Sequence, residues 1–91
     1  MNYQYRAVEK FWRNFYALRN EQKASVRHAW QTFKRDPFHP SLGSHEIREL
    51  SAKAKHTIYG AVIEGDLRVI FRIDDGWITS LDVGTHKIYR T

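Results

Sequence analysis

The chain has no cysteine. That excludes a disulfide-stapled scaffold, a cysteine-ligated zinc site and thiol catalysis, and it suits a reducing compartment. Proline is nearly missing too: Pro37 and Pro40 fall together in one loop. No apolar run approaches the roughly twenty residues that a membrane-crossing helix needs. The opening Met1-Asn2-Tyr3-Gln4-Tyr5-Arg6 carries no signal-peptide core, so the expectation is a cytoplasmic protein without a membrane partner. Internal repeats, low-complexity segments and linkers are also lacking, which leaves residues 1–91 as a single domain. What is present is a globular balance of 42% hydrophobic and 27% charged residues, enough for one modest core. The formal charge of +5 attracts polyanions, nucleic acid or an acidic protein being the obvious partners.

The stretch from Leu67 to Tyr89 organises the rest. Leu67–Ile73 and Trp77–Val83 are rich in β-branched and aromatic residues and are bounded by turn residues, so they predict a β-hairpin. A three-residue loop over Asp74-Asp75-Gly76 sets Ile73 opposite Trp77, Phe71 opposite Thr79, Val69 opposite Leu81 and Leu67 opposite Val83, giving one apolar face. On the other face Arg68 then meets Asp82. A two-residue loop on Asp75-Gly76 would turn Ser80 and Asp82 into the core, which the cost of burying unpartnered polar groups disfavours.

Upstream, Tyr3, Tyr5 and Ala7 alternate as in a short strand. From Val8 the period changes: Val8, Phe11, Trp12, Phe15 and Leu18 recur at helical spacing and predict an amphipathic helix whose aromatic stripe is core. Asn20 is the expected N-cap of a second helix carrying Val26, Ala29, Trp30 and Phe33, and Asp36-Pro37 ends it. Phe38–Ser44 is a loop. His45–Leu50 reads equally as a short strand or a helical turn, and Ser51–Lys55 as an exposed connector. His56–Glu64 is a strand joined through a Gly65-Asp66 turn, with Val62 opposite Val69, Gly60 opposite Phe71 and Ile58 opposite Ile73. Tyr59 then falls beside Arg72.

The fold class is therefore α+β: an N-terminal strand and a two-helix hairpin packed on one face of a small, mainly antiparallel twisted sheet. The helices cover one sheet face only. The second face, lined by Arg68, Arg72, Tyr59 and His86, has no evident cover and is the expected functional surface.

The order of Asp36-Pro37 with His39-Pro40-Ser41-Leu42, then Asp66-Leu67-Arg68-Val69-Ile70-Phe71, then Gly84-Thr85-His86-Lys87-Ile88-Tyr89 resembles the RelE/ParE superfamily of toxins from type II toxin-antitoxin modules. The resemblance implies a toxin that, in the RelE-like branch, enters the ribosomal A site and cuts mRNA without a metal. It also implies a cognate acidic antitoxin, held in a hetero-oligomer, that covers the helical hairpin or the open sheet face. The RelE branch carries catalytic lysines where this chain has Tyr59 and Ala61, and the Gly-Thr-His ending is closer to the YafQ-like branch with its histidine near the C-terminus. A ParE-like gyrase inhibitor without nuclease activity, or a non-toxic relative that still binds an antitoxin, is the alternative.

Metal-free RNA cleavage needs a base for the 2′-hydroxyl, a stabiliser for charge on phosphorus and an acid for the 5′-oxygen. On this reading Arg68 holds the phosphate, His86 is acid or base, and Tyr89 stacks on or orients the nucleotide. Lys53, Lys55, Arg72, Tyr59 and Lys87 are the expected substrate contacts, and His45 and His56 possible secondary catalytic residues. His39, His45 and His56 match no ligand spacing, so neither a metal nor another cofactor is expected.

Overall fold

The computed structural model describes residues 3–90; Met1 and Asn2, where the opening segment was read for a signal sequence, lie outside the described residues. The alternating residues build strand β1 (Gln4–Ala7), and the change of period at Val8 builds helix α1 (Glu9–Tyr16). Helix α2 (Asn20–Arg35) stops one residue before Asp36-Pro37, as the restriction on a residue preceding proline requires. Its N-cap is Arg19 instead of the expected Asn20, and the Arg19 N–H is satisfied by Gln22 Oε1 at 3.0 Å.

The ambiguous stretch turns out to be both elements in succession: strand β2 (His45–Glu46), then helix α3 (Arg48–Ala54). Ser51–Ala54 is thus helix and not a connector. Ser51 Oγ accepts the Ile58 N–H at 2.8 Å, tying α3 to the next strand. Lys55 ends α3 in the left-handed region, at φ 58. Strands β3 (Ile58–Glu64), β4 (Leu67–Asp74) and β5 (Trp77–Thr85) follow, and a 3-10 turn over His86–Arg90 closes the chain.

One five-stranded sheet results, in the order β1-β5-β4-β3-β2. β1 runs parallel to β5 and every other pair is antiparallel. Against one face, α1 and α2 press Phe11, Phe15, Val26 and Phe33 onto Leu67, Val69, Val83, Phe71 and Ile78. Phe71 is wholly buried, and the Phe33 ring meets it edge-on at 4.9 Å. This is the expected α+β arrangement.

Both strand registers differ from the sequence reading. Asp75 at φ 52 and Gly76 at φ 78 form a two-residue turn with both corners left-handed, the geometry that matches the natural twist of a hairpin. Ile73 therefore pairs with Ile78, and Phe71 with Ser80. A bulge at Leu81 shifts the ladder once more, so that Val69 meets Val83 and Leu67 meets Thr85. Ser80 and Asp82 are buried after all. Asp82 accepts from Asn14 Nδ2 at 2.6 Å and from the Val83 N–H at 2.8 Å, and lies 3.4 Å from Lys10 Nζ. The expected Arg68–Asp82 pair does not exist: Arg68 pairs with Gly84, and the Asp82 carboxylate turns to α1.

The Gly65-Asp66 turn between β3 and β4 is the expected two-residue turn, but a bulge at Ile63 shifts the pairing by one. Ala61 meets Val69 and Tyr59 meets Phe71, so Tyr59 joins the helix-side core and stacks on Phe71 at 5.4 Å. It does not stand beside Arg72 on the second face. Ile58, Gly60 and Val62 take that face instead, opposite Arg72, Ile70 and Arg68.

The second face is not bare. Ile47 and Leu50 around α3, with Ile88 and Tyr89 of the 3-10 turn, pack on Ile58, Ile70 and Leu81 as a small second core. That cover leaves open the end of this face near the β3–β4 turn, where Asp66 and His86 are exposed.

Candidate active site

The observed β4–β5 pairing, continued one step past Leu67 and Thr85, sets Asp66 opposite His86. The two side chains meet there, His86 Nδ1 lying 2.6 Å from Asp66 Oδ1, with both about half exposed. The hydrogen bond from His86 holds the Asp66 carboxyl below its ordinary value, with the charges of His86 and Arg68 adding to it against some desolvation. With Nδ1 engaged, Nε2 is the ring nitrogen left for proton transfer. Neutral, that nitrogen accepts a proton; protonated, it donates one.

Arg68 sits on β4 between Val62 and Gly84. Its Nη1 donates to the carbonyls of Gly65 at 2.6 Å and Leu67 at 3.2 Å, which bends the guanidinium back over the turn that carries Asp66. Only Nη1 is used in these bonds. A forked cation held this way keeps donors for an anionic oxygen.

Tyr89 lies one 3-10 turn beyond His86. Its ring rests on Gly60, edge-on to the His45 ring at 6.1 Å. The Tyr89 hydroxyl is buried and has no hydrogen-bond partner among the described residues. Burial pushes the phenol above its ordinary value, against the opposing pull of Arg68. His45 in turn donates from Nδ1 to the Gly43 carbonyl at 3.0 Å.

The structure thus gathers Arg68, His86, Tyr89 and His45 around the β3–β4 turn and β3. Arg72 stands further along β4 between Ile58 and Thr79, its Nε buried without a partner among the described residues. Tyr59 is on the opposite face. Lys53 lies in the last turn of α3, Lys55 ends that helix, and His56 is exposed before β3. Lys87 is exposed in the C-terminal turn.

Asp66 is the residue that the sequence reading missed. The sequence reads it as a turn corner, and a three-residue β4–β5 loop sets it opposite Gly84; the two-residue turn and the Leu81 bulge move it to His86. Among the described residues no three His, Cys, Asp or Glu side chains converge as a metal site, and no helix is long and apolar enough to cross a membrane.

A second feature lies on the helix side. Trp12, expected in the core stripe, is 46% exposed, and Tyr16 beside it is 65% exposed. With Phe11, Phe15 and Trp30 they wall a groove of 330 Å³ between α1, α2 and β1, and the Arg27 guanidinium stands 5.3 Å over the Phe15 ring.

The sequence matches no protein-family model and no curated protein. The fold matches solved toxins across nearly its whole length. RelE in the archaeal RelE–RelB complex from Pyrococcus horikoshii superposes with a TM-score of 0.71 at 17% identity, covering 93% of this chain and 96% of that one. The E. coli DinJ–YafQ toxin-antitoxin complex gives 0.73 at 12% identity, covering 97% of each chain. A copper-bound mutant toxin from Helicobacter pylori gives 0.68 at 17% identity, covering 94% of this chain and 97% of the other. The fold is that of RelE-type toxins.

Proposed function

We propose that this chain, built on the RelE-type toxin fold, is the toxin of a type II toxin-antitoxin module and acts as a ribosome-dependent, metal-free mRNA endonuclease. The observation that carries the reading is the His86–Asp66 pair beside Arg68. A lone exposed histidine is ordinary surface, whereas an imidazole oriented through Nδ1 by a carboxylate, next to an arginine, is an arrangement for proton transfer at a phosphate.

In the reaction the 2′-oxygen loses its proton to a base and attacks the adjacent phosphorus. The bond from phosphorus to the 5′-oxygen breaks, and that oxygen takes a proton from an acid, leaving a 2′,3′-cyclic phosphate and a free 5′-hydroxyl. His86 Nε2 supplies one of the two proton transfers, Asp66 keeps the ring in the required orientation, and Arg68 stabilises the negative charge that gathers on the phosphoryl oxygens. Tyr89, seated on Gly60 with its hydroxyl buried, supports the turn that carries His86, and Lys53, Lys55, Lys87 and Arg72 belong to the basic surroundings that attract RNA.

The partner is an acidic antitoxin. Two of the similar structures are toxin–antitoxin complexes, and the groove walled by Trp12, Tyr16 and Trp30 with Arg27 above it suits an amphipathic segment with acidic flanks.

Primer extension on translated mRNA, with and without ribosomes, tests the reading. Cuts that need ribosomes and vanish in His86→Ala and Arg68→Ala support it. A toxic wild-type protein that leaves mRNA intact overturns it in favour of a ParE-like inhibitor of gyrase that works by binding alone.

A further inference from the structure

Two glycines on the second sheet face, Gly60 in β3 and Gly84 in β5, flank β4, and each lies beneath a side chain of the C-terminal turn. A Cβ at Gly84 would stand 3.0 Å from Ile88 Cγ2. A Cβ at Gly60 would run into the Tyr89 ring, 2.7 Å from Cζ. Neither glycine has a positive φ, unlike Gly43, Gly65 and Gly76. Backbone conformation therefore does not call for glycine at either site; the space above it does.

The consequence follows from the geometry of a 3-10 turn. With three residues per turn, His86 and Tyr89 fall on one side, one above the other, and Ile88 on the next. Seating Tyr89 on Gly60 fixes how far the turn is rotated about its axis. Seating Ile88 on Gly84 fixes its height above the sheet. Together the two contacts set the turn where the His86 ring reaches Asp66.

We infer that Gly60 and Gly84 are positioning residues that hold the C-terminal turn down on the sheet and so deliver His86 to Asp66. The kinetic part of this inference rests on the nuclease reading; the positional part does not.

The test reads the His86–Asp66 contact directly, through the side-chain carboxyl resonance of Asp66 in isotope-labelled protein titrated with acid. In the wild type that carboxyl titrates below its ordinary value. In Gly60→Ala and Gly84→Val it is expected to move back to the ordinary value while the resonances of the Phe33–Phe71 core stay put. In the double variant Gly84→Val with Ile88→Ala, where the new side chain has room, the low value returns. Gly60→Ala, whose Cβ would meet Tyr89 Cζ at 2.7 Å, carries the test if Gly84→Val prevents folding. In cleavage assays the single variants lose about a hundredfold in kcat with KM unchanged, the usual penalty for a misplaced catalytic group. Folded variants whose Asp66 titration stays at the wild-type position overturn the inference. A shifted titration in a protein whose wild type does not cut RNA upholds the positional inference and removes the nuclease reading alone.

Discussion

His86 and Asp66 are bound to each other, Nδ1 to Oδ1 at 2.6 Å, across the open end of the β4–β5 hairpin. If the pair works as the proton-transfer unit, its members should not fail equally. His86→Ala removes the acid or base and should lower cleavage by about a hundredfold or more. Asp66→Asn leaves the imidazole in place but without a carboxylate to orient it, and should cost about tenfold or more. Single-turnover cleavage of ribosome-bound mRNA measures both, and equal wild-type rates in the two variants would remove the pair from the reaction.

The same bond makes stability depend on acid. The folded-state pKa of Asp66 lies below its unfolded value, so the pair's contribution is present above the unfolded carboxylate value and is lost as the pH falls through the lowered one. Denaturant midpoints followed downward from pH 7 should therefore fall less steeply for Asp66→Asn than for the wild type. His86→Ala should flatten the acid limb in the same way, because the hydrogen bond from His86 is the main cause of the shift. A limb of unchanged steepness in both variants would mean that the contact does not persist in solution.

Asp82 should matter more to stability than any charged group at the site. It is 3% exposed and accepts from Asn14 and from the Val83 N–H, so Asp82→Ala leaves donors inside the protein without an acceptor. The expected loss is about 2–4 kcal/mol. Lys10→Ala should cost less, about 1 kcal/mol, because the Lys10 side chain is half exposed and the carboxylate it leaves behind keeps its hydrogen bonds from Asn14 and the Val83 N–H. Urea unfolding at constant m-value separates the two.

The overall fold was legible because it rests on periods and punctuation. The stripe Phe11, Phe15 and Val26, Phe33 marked both helices, Asp36-Pro37 marked where the second ends, and Gly65-Asp66 marked the turn between β3 and β4. Register was not legible, because each error is a single residue. A Gly-containing loop accommodates two or three residues, and neither bulge, at Ile63 or Leu81, has a sequence mark of its own. The argument against burying Asp82 was physically sound but lacked its partner: Asn14 is 68 residues away on α1.

The site was legible in its residue types and not in its pairing. Arg68 and His86 stood out because a forked cation and an imidazole suit phosphate chemistry. Asp66 did not, because its role depends on the register that places it opposite His86. The cover over the second face escaped for a different reason. α3 has only seven residues, too few for its buried Leu50 to establish a helical period, and Tyr89 finds its seat on a glycine that a strand pattern reads as merely weak.

The aromatic groove should separate binding from folding. Trp12 and Tyr16 stack on each other at 6.0 Å; Tyr16 is 65% exposed, so Tyr16→Ala should change stability by under about 1 kcal/mol, whereas Trp12, 46% exposed and edge-on to Phe11 and Phe15, should cost about 1–3 kcal/mol and leave the protein folded. A partner that inserts an apolar segment between α1 and α2 would bury both rings, and large aromatic side chains at the centre of an interface typically contribute about 2 kcal/mol or more each. If the proposed antitoxin is that partner, Trp12→Ala should weaken its complex by about thirtyfold or more by titration calorimetry, with any ribosomal cleavage by the free protein unchanged. Tyr16→Ala should act in the same direction. If both variants bind the antitoxin as tightly as the wild type, the partner sits elsewhere, and the exposed end of the second sheet face, around His86 and Asp66, becomes the place to map it.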